Sequence, residues 1–418
     1  MSAQGFLQKE LSTIDKSVIQ KITHFTYEDF SLSDLLAYAA TEEVFFFESK
    51  DENFSFLGLG IAREIPISSA DQFAIHNPEE VLVFKKEFES NSPTLCYLPE
   101  WSFVRKNNQV KLFVHQSQEY KSYSPSNIIF NPTVWESFVG AWVSFDESPD
   151  SDEWKRMINE SSRLFRKKDL MKIVLSRKKI FTYDSPIDML VMFREVYEAN
   201  LASSHYSIYY QSNYHESFIS LTPERLFTLK GNHLETVSLA GSTPRGKTPE
   251  EDLKLEIELT HSDKLIREHE FVTKSISERL SPLMDSFSIS PLVTMKLPYI
   301  QHRQATITGV LKETTTIESL VNLLHPTPAV GGIPYELSQE KILEIEKEMR
   351  CQYAAPIGVI SRDFSEIVVG IRSAKIQGET ITVYGGAGIV EGSEALEEWD
   401  ETGAKMQPFI KVINKSVL

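Results

Sequence analysis

Cysteine is scarce in this chain: Cys96 and Cys351 are the only two in 418 residues. They exclude a disulfide framework and a cysteine-built zinc site. No apolar run reaches the roughly 18 residues that a bilayer-crossing helix needs. The opening stretch (MSAQGFLQKELSTIDK) has no basic segment leading into an apolar one, so no secretory leader is predicted and the cytoplasm is the expected compartment. Basic residues are also outnumbered. Lys and Arg total 43 against 59 Asp and Glu, a formal net charge of −16. That balance argues against an extended nucleic-acid or anionic-membrane surface, and any anionic ligand would need locally focused positive charge. Neither G-x-G-x-x-G nor G-x-x-x-x-G-K-[ST] occurs, which removes the usual dinucleotide and P-loop signatures. Repeats, low-complexity tracts and Gly/Ser linkers are missing too.

What remains is an ordinary globular composition, 41% apolar and 24% charged, in a chain long enough for a large core. Strand-like stretches are expected at Val44–Phe47, Phe54–Ile61, Val81–Phe84 and Val110–Val114. Residues 151–170 read as a helix with Trp154, Met157 and Ile158 on one side. A strand at Met171–Arg177, a helix over 186–201 and strands near Tyr206–Tyr210, Phe218–Leu221, Arg225–Lys230 and His233–Leu239 follow. Thr248-Pro249-Glu250-Glu251 starts a helix mechanically: a Thr cap, Pro at the first helical position, and Glu three after the cap. That helix, broken near Ser262, runs toward Leu280, and late strands fall at Ile357–Ser361, Ile367–Ile371 and Ile381–Tyr384. Strand clusters punctuated by helices without regular βαβ alternation indicate an α+β fold. One large domain is expected, with residues 1–150 as an N-terminal sheet region and 151–412 as the region that carries chemistry.

The densest chemistry sits in Tyr384–Lys405 (YGGAGIVEGSEALEEWDETGAK). Gly385-Gly386-Ala387-Gly388 reads as a loop whose bare backbone can approach a ligand. Helical spacing beyond Ser393 puts Glu394, Glu398, Glu401 and Lys405 on one face. Three like charges that close suit an oxygen-only Mg2+ site, although a solvated acidic helix with one Glu–Lys pair fits the same residues. Lys172, on an otherwise apolar strand, would favour its neutral amine if it points inward and could then serve as a general base; a surface lysine on an edge strand is the alternative. Glu224 lies in a Thr222-Pro-Glu-Arg225 break between strands, where an apolar pocket could keep it protonated as a general acid, or where it could simply face water or pair with Arg225. Leu239–Gly246 supplies small residues and backbone donors that suit an anion turn or a plain loop. Glu268 gains meaning only if it meets the acidic helix in space. His325–Pro334 is a rigid Pro/Gly loop of the kind that collects binding groups, and Arg372, at the end of an apolar strand, is a candidate carboxylate clamp.

Taken in order, Lys172–Arg177, Phe218–Leu226, Leu239–Gly246, Ser262–Glu270, Leu324–Pro334, Tyr353–Gly358, Gly370–Lys375 and Tyr384–Lys405 resemble the chorismate-utilising enzymes, a family that includes isochorismate, salicylate, anthranilate and aminodeoxychorismate synthases. The resemblance is strong from about residue 150 to 412 and loose before it, chiefly through Phe54–Ala62. It implies mostly antiparallel sheets packed together with helices outside. It also implies chorismate as the small-molecule partner and Mg2+ as the cofactor, with the chain a monomer or homodimer. Lys172 stands where the water-adding members carry lysine and the aminating ones glutamine. Ala240 stands where aminodeoxychorismate synthases tend to carry lysine, and Gly332-Ile-Pro-Tyr335 replaces the Ala-Pro-Lys of the aminating groups. The run Leu324-His-Pro-Thr-Pro-Ala329 looks like isochorismate synthases and is usually missing from salicylate synthases, the nearest rival. Arg267 departs from a position that is often histidine.

Carried over residue by residue, the resemblance makes Lys172 the base that activates water and Glu224 the acid. Glu268 and Glu401, with Glu398 near, would hold the metal. Gly241, Ser242, His325, Thr327, Ala329, Tyr353, Arg372, Gly386, Gly388 and Lys405 would contact substrate. Whether the product feeds menaquinone, a catecholate siderophore or salicylate made by a separate lyase is not written in these residues.

Overall fold

The structure is a computed structural model that describes residues 23–26, 32–36, 42–51, 53–89, 94–106, 109–115, 140–203 and 205–415. Residues 1–22, the stretch read for a leader, lie outside them. Two large sheets, of twelve and ten strands among the described residues, pair antiparallel throughout. In the first, Lys172–Tyr183 lies between Thr380–Val390 on one side and Trp142–Ser148 with Gly332–Ile333 on the other. Ser373–Gln377, Glu216–Thr222 and Tyr206–Asn213 then lead to Val44–Glu48, Phe54–Leu59, Trp101–Lys106, Gln109–Val114 and Thr23–Thr26. The second sheet runs from Met284–Ile289 through Ile300–Leu311, His233–Pro244, Arg225–Lys230 and Ser365–Val369 to Pro356–Ile360. Leu82–Lys85, Leu95–Leu98 and Arg63–Pro66 continue it, and Val293–Lys296 pairs with Ile300–Leu311 as its tenth strand.

Side-chain alternation explains how the layers stack. Phe45, Phe47, Tyr206 and Ile208 from the first sheet meet Val83, Ile357, Val359 and Val368 from the second in one apolar cluster. Phe46 and Tyr209, one residue out of step, point the opposite way and pack with Phe193, Met406 and Phe409. Those three belong to the helices Met189–Asn200 and Ala395–Lys415, which cover the first sheet. Strands buried on both faces read as continuous apolar runs, which is why Val44–Glu48 is VFFFE. The second sheet is covered in the same manner by Asp263–Leu280, whose Val272, Ile276 and Leu280 recur at helical spacing, and by Ile317–Leu324. The order is helix, sheet, sheet, helix. No described helix is long and apolar enough to cross a membrane.

Local signals hold where they have a mechanism. Thr248 caps Pro249–His261 and accepts from Glu251 N, and Ser262 closes that helix while capping the next. The helix expected over 151–170 stops at Arg166 because Lys168 turns left-handed (φ 61°), and the strand begins at Lys172. The strand expected at Ile367–Ile371 is Ser365–Val369, which leaves Ile371 and Arg372 outside the ladder.

The N-terminal strands extend both sheets: Val44–Glu48 pairs with Tyr206–Asn213, and Leu82–Lys85 pairs with Pro356–Ile360. A fragment comprising residues 140–418 alone would expose two long apolar edges. It should show no cooperative thermal transition by near-UV circular dichroism; a sharp transition like that of the whole chain would contradict this topology.

Candidate active site

Burial drives the geometry of the pocket that opens between the sheets. Lys172 and Val174 point into it, while Ile173 and Leu175, which alternate with them, pack with Trp154 and Ile389 on the other face. The Lys172 side chain is 1% exposed, and its Nζ meets Glu268 Oε1 at 3.0 Å. Glu268 is placed by its helix: four residues before Val272, it heads the buried stripe of Asp263–Leu280. Both neighbours of Lys172 in the sheet are paired strands, so the edge-strand alternative is gone.

Glycine here serves close approach, not a turn. The expected loop at Gly385–Gly388 is instead the interior of Thr380–Val390, paired through Ser176↔Gly386 and Val174↔Gly388. A Cβ on Gly386 would stand 2.6 Å from the Tyr353 hydroxyl, and one on Gly388 would stand 2.8 Å from Glu268 Oε1 and 2.9 Å from Lys172 Cε. On the opposite face a Cβ at Gly385 would meet Thr402 O at 2.7 Å. The sequence therefore omits side chains on both faces so that the acidic helix and the pocket can close on one strand. Leu239–Gly246 is likewise mostly strand: His233–Pro244 carries a bulge at Gly241, whose φ of 75° is the left-handed conformation glycine allows.

Glu224 follows Pro223 in the break between Glu216–Thr222 and Arg225–Lys230. Its backbone is fixed from both ends: Glu224 N donates to Thr222 Oγ1 (3.1 Å) and its carbonyl accepts from Val369 N (3.0 Å). Only 2% of the residue is exposed. Burial raises its carboxyl to about 8, against the opposing pull of Lys50, Lys172, Lys405 and Arg372. At neutral pH the side chain keeps its proton.

The helix Ala395–Lys415 begins one residue after Glu394 and presents Glu401 and Lys405 to the pocket. Lys405 Nζ donates to Glu401 Oε1 (2.5 Å) and to the Gly386 carbonyl (2.9 Å). Glu398 is buried on the stripe with Thr402 and Met406 and does not line the pocket. Among the described residues no three His, Cys, Asp or Glu side chains form a ready metal cluster. Two oxygen-donor carboxylates, Glu268 and Glu401, do share the pocket, each with an amine as its partner.

Arg372 sits between two strands in a left-handed backbone (φ 49°), a conformation that costs of order 1–3 kcal/mol for a non-glycine residue. Burial lowers its guanidinium to about 10, with Glu401 the largest opposing influence, so it stays charged at neutral pH. Among the described residues its Nε is buried without a hydrogen-bond partner, while one terminal nitrogen donates to His302 Nε2 (3.1 Å). Sequence reasoning missed His302; the only signal is register, since it pairs with Ser242 across His233–Pro244 and Ile300–Leu311. A guanidinium only donates, so His302 Nε2 accepts and its proton resides on Nδ1, which donates to Ser242 Oγ (2.8 Å). Burial, with Arg372 and Lys405 adding to it, holds the imidazole far below its usual range and therefore neutral. The Ser242 hydroxyl hydrogen is thus left for the pocket.

Of the remaining expected contacts, Ala329 and Tyr353 line the pocket, whereas Gly241, His325 and Thr327 stand behind it. His325 Nε2 donates to the Ala354 carbonyl (2.9 Å), and burial lowers the imidazole to about 3. Thr327 turns the loop, its carbonyl accepting from Val330 N and Gly331 N at 3.0 and 2.8 Å. Tyr353 stacks on Tyr384, ring centroids 5.1 Å apart.

The pocket pairs a buried lysine with a protonated glutamic acid and surrounds them with an arginine, a second lysine and two carboxylates, a set that can receive an anionic group. The chain matches the family model described as chorismate binding enzyme over residues 83–414, and it belongs to that family. It is 34% identical over 275 residues to the isochorismate synthase MenF of Bacillus subtilis (strain 168), an alignment covering 65% of this chain and 58% of that protein. The corresponding protein of Escherichia coli (strain K12) is 26% identical over 385 residues, 89% of each chain. The chain spans about three fifths of the length of the first curated relatives it matches. A solved structure, described as the menaquinone-specific isochorismate synthase MenF from Escherichia coli, superposes with a TM-score of 0.88 at 23% identity over 99% of this chain and 100% of that one, which shows the shared fold.

The glycine contacts give a direct test. Gly388→Ala should push Lys172 and Glu268 apart and cost about 1–3 kcal/mol, seen as a lower urea midpoint with an unchanged m-value. A variant as stable as the parent would show that this strand does not need its bare backbone.

Proposed function

We propose that this chain is an isochorismate synthase, an isomerase that adds water at C2 of chorismate as the C4 hydroxyl departs. The observation that carries the reading is the meeting, in one pocket, of Lys172 with a Glu224 that holds its proton at neutral pH. Lys172, as the neutral amine left once its own proton has gone, would take a proton from the attacking water. Glu224 would give its proton to the leaving hydroxyl, which departs as water, so no net oxidation or hydration occurs. The free Nε of Arg372, with Lys405 and the Ser242 hydroxyl, would bind substrate carboxylate oxygens. Buried positive groups in a protein of net charge −16 fit an anionic substrate.

The donor set also fits Mg2+. Glu268 and Glu401 offer only oxygen, and two carboxylates with the other positions left to substrate and water is a common arrangement for that ion. Glu398, behind Glu401 on the same helix, would support it indirectly. Bound there, Mg2+ would supply positive charge for the ring carboxylate. We infer menaquinone supply as the use of the product, following the description of the solved relative.

Incubated with chorismate and Mg2+, the protein should form isochorismate without pyruvate, and chelation should silence it. Pyruvate and salicylate fluorescence would instead make it a salicylate synthase. Lys172→Ala should lower kcat by at least about a hundredfold while chorismate still binds; a variant turning over at the parental rate would remove the base assignment. The pH dependence has a definite sign. Glu224 donates only when protonated, so kcat/KM should fall as pH rises through about 8. Glu224→Gln should abolish most turnover and with it that alkaline limb. An unchanged limb in the Gln variant would assign it to another group.

A further inference from the structure

The two residues that flank Glu224 are both held by a consecutive pair from the N-terminal hairpin. Lys50 and Asp51 follow the strand Val44–Glu48 and precede Phe54–Leu59. Lys50 Nζ donates to the carbonyl of Pro223 at 3.0 Å, and its ammonium lies 5.1 Å from the centre of the Tyr206 ring. Asp51 forms an ion pair with Arg225, whose Nε also donates to the Tyr206 hydroxyl at 2.7 Å. Glu224 thus sits between two anchored neighbours; Arg225 is held by Glu235 and Glu366 as well, whereas Pro223 is held by Lys50, from a segment that contributes no side chain to the pocket itself.

We propose that Lys50 is a positioning residue, which with Asp51 fixes the Pro223–Arg225 turn so that the Glu224 carboxyl is aimed at the substrate. The inference rests on the role given to Glu224 above. A two-residue break between strands has few bonds of its own, and Thr222 and Val369 restrain only the backbone of Glu224. The carbonyl of Pro223 has no partner in a β-ladder, and an ammonium supplies one without needing a complementary acceptor nearby.

The charge has a second effect. Lys50 is the largest of the four cationic influences that oppose the burial-raised carboxyl of Glu224, ahead of Lys172, Lys405 and Arg372. The ammonium is itself pushed down by burial and by Arg225, and supported by Asp51, Glu224 and Glu366. Lys50 thereby joins geometry to proton affinity at the same carboxyl group.

Four variants separate these effects: Lys50→Met, Lys50→Gln, Lys50→Arg and Glu224→Gln, each followed by kcat, KM and the pH profile of kcat/KM in the full-length protein with chorismate and Mg2+. Lys50→Met should lower kcat by about tenfold or more with KM within about twofold, and move the alkaline limb upward by about half to one pH unit. Lys50→Gln keeps a donor for Pro223 without the charge, so it should recover much of kcat while keeping the shifted limb. Lys50→Arg should restore both. In the Glu224→Gln background, Lys50→Met should cause little further loss, because it acts through that side chain. A Lys50→Gln or Lys50→Met protein with the parental kcat and an unmoved limb overturns the proposal. So does a full, additive loss in the Glu224→Gln background. If Glu224→Gln alone leaves turnover and limb intact, the acid assignment has failed, and the two failures are told apart.

Discussion

Taking an ionisable side chain out of water costs several kcal/mol unless a partner or a proton answers for it. The pocket is organised by how each buried group meets that demand. Lys172 takes Glu268 as its counter-charge, Lys405 takes Glu401, and Arg372 leans on a neutral His302 while leaving one N–H unpaired. Glu224 has no such partner and keeps its proton. Among the described residues an unpaired guanidinium N–H, the Ser242 hydroxyl hydrogen and a protonated acid are left over in the site, and all three are what a carboxylate-bearing substrate with a departing hydroxyl would use.

The fold supplies these groups from elements far apart in sequence. One strand of the first sheet brings Lys172, a neighbouring strand brings the bare backbone at Gly386 and Gly388, and the break before Arg225–Lys230 brings Glu224. Two helices on opposite outer layers contribute Glu268 and Glu401. They reach the same pocket because the strands between them carry no side chain at the crossing point. Antiparallel pairing across the sheets, completed by N-terminal strands, fixes these distances without any disulfide, the two cysteines being free. Removing one partner of a buried ion pair such as Lys172–Glu268 would cost about 3–5 kcal/mol, so packing and chemistry depend on the same contacts.

Much of this is legible in the amino-acid sequence, and what is hidden there is hidden for physical reasons. The helix starts at Thr248 and Ser262 are written in capping chemistry, and the charged residues Lys172, Glu224, Glu268, Arg372 and Glu401 stand out against apolar neighbours or in strand breaks and helix faces. Gly385–Gly388 reads as a loop because a glycine run weakens a strand, and a single sequence cannot show that a tyrosine hydroxyl and a carboxylate will press on that backbone from across the pocket. Glu398 looks equivalent to Glu401 by helical spacing, yet helix rotation turns it into the apolar stripe. His302 and Lys50 are invisible for another reason. Their roles come from strand register and from a hairpin more than 170 positions away, and neither leaves a local pattern.

The central claim is that a fully buried Glu224 stays protonated where ordinary carboxylates are ionised. Carbon-13 NMR titration of protein labelled at its glutamate carboxyl carbons, with Glu224→Gln as the subtraction, measures that proton directly. The account predicts a difference signal that titrates with a midpoint near 8. A Glu224 carbon that titrates in the ordinary glutamate range, about 4.3, would contradict it.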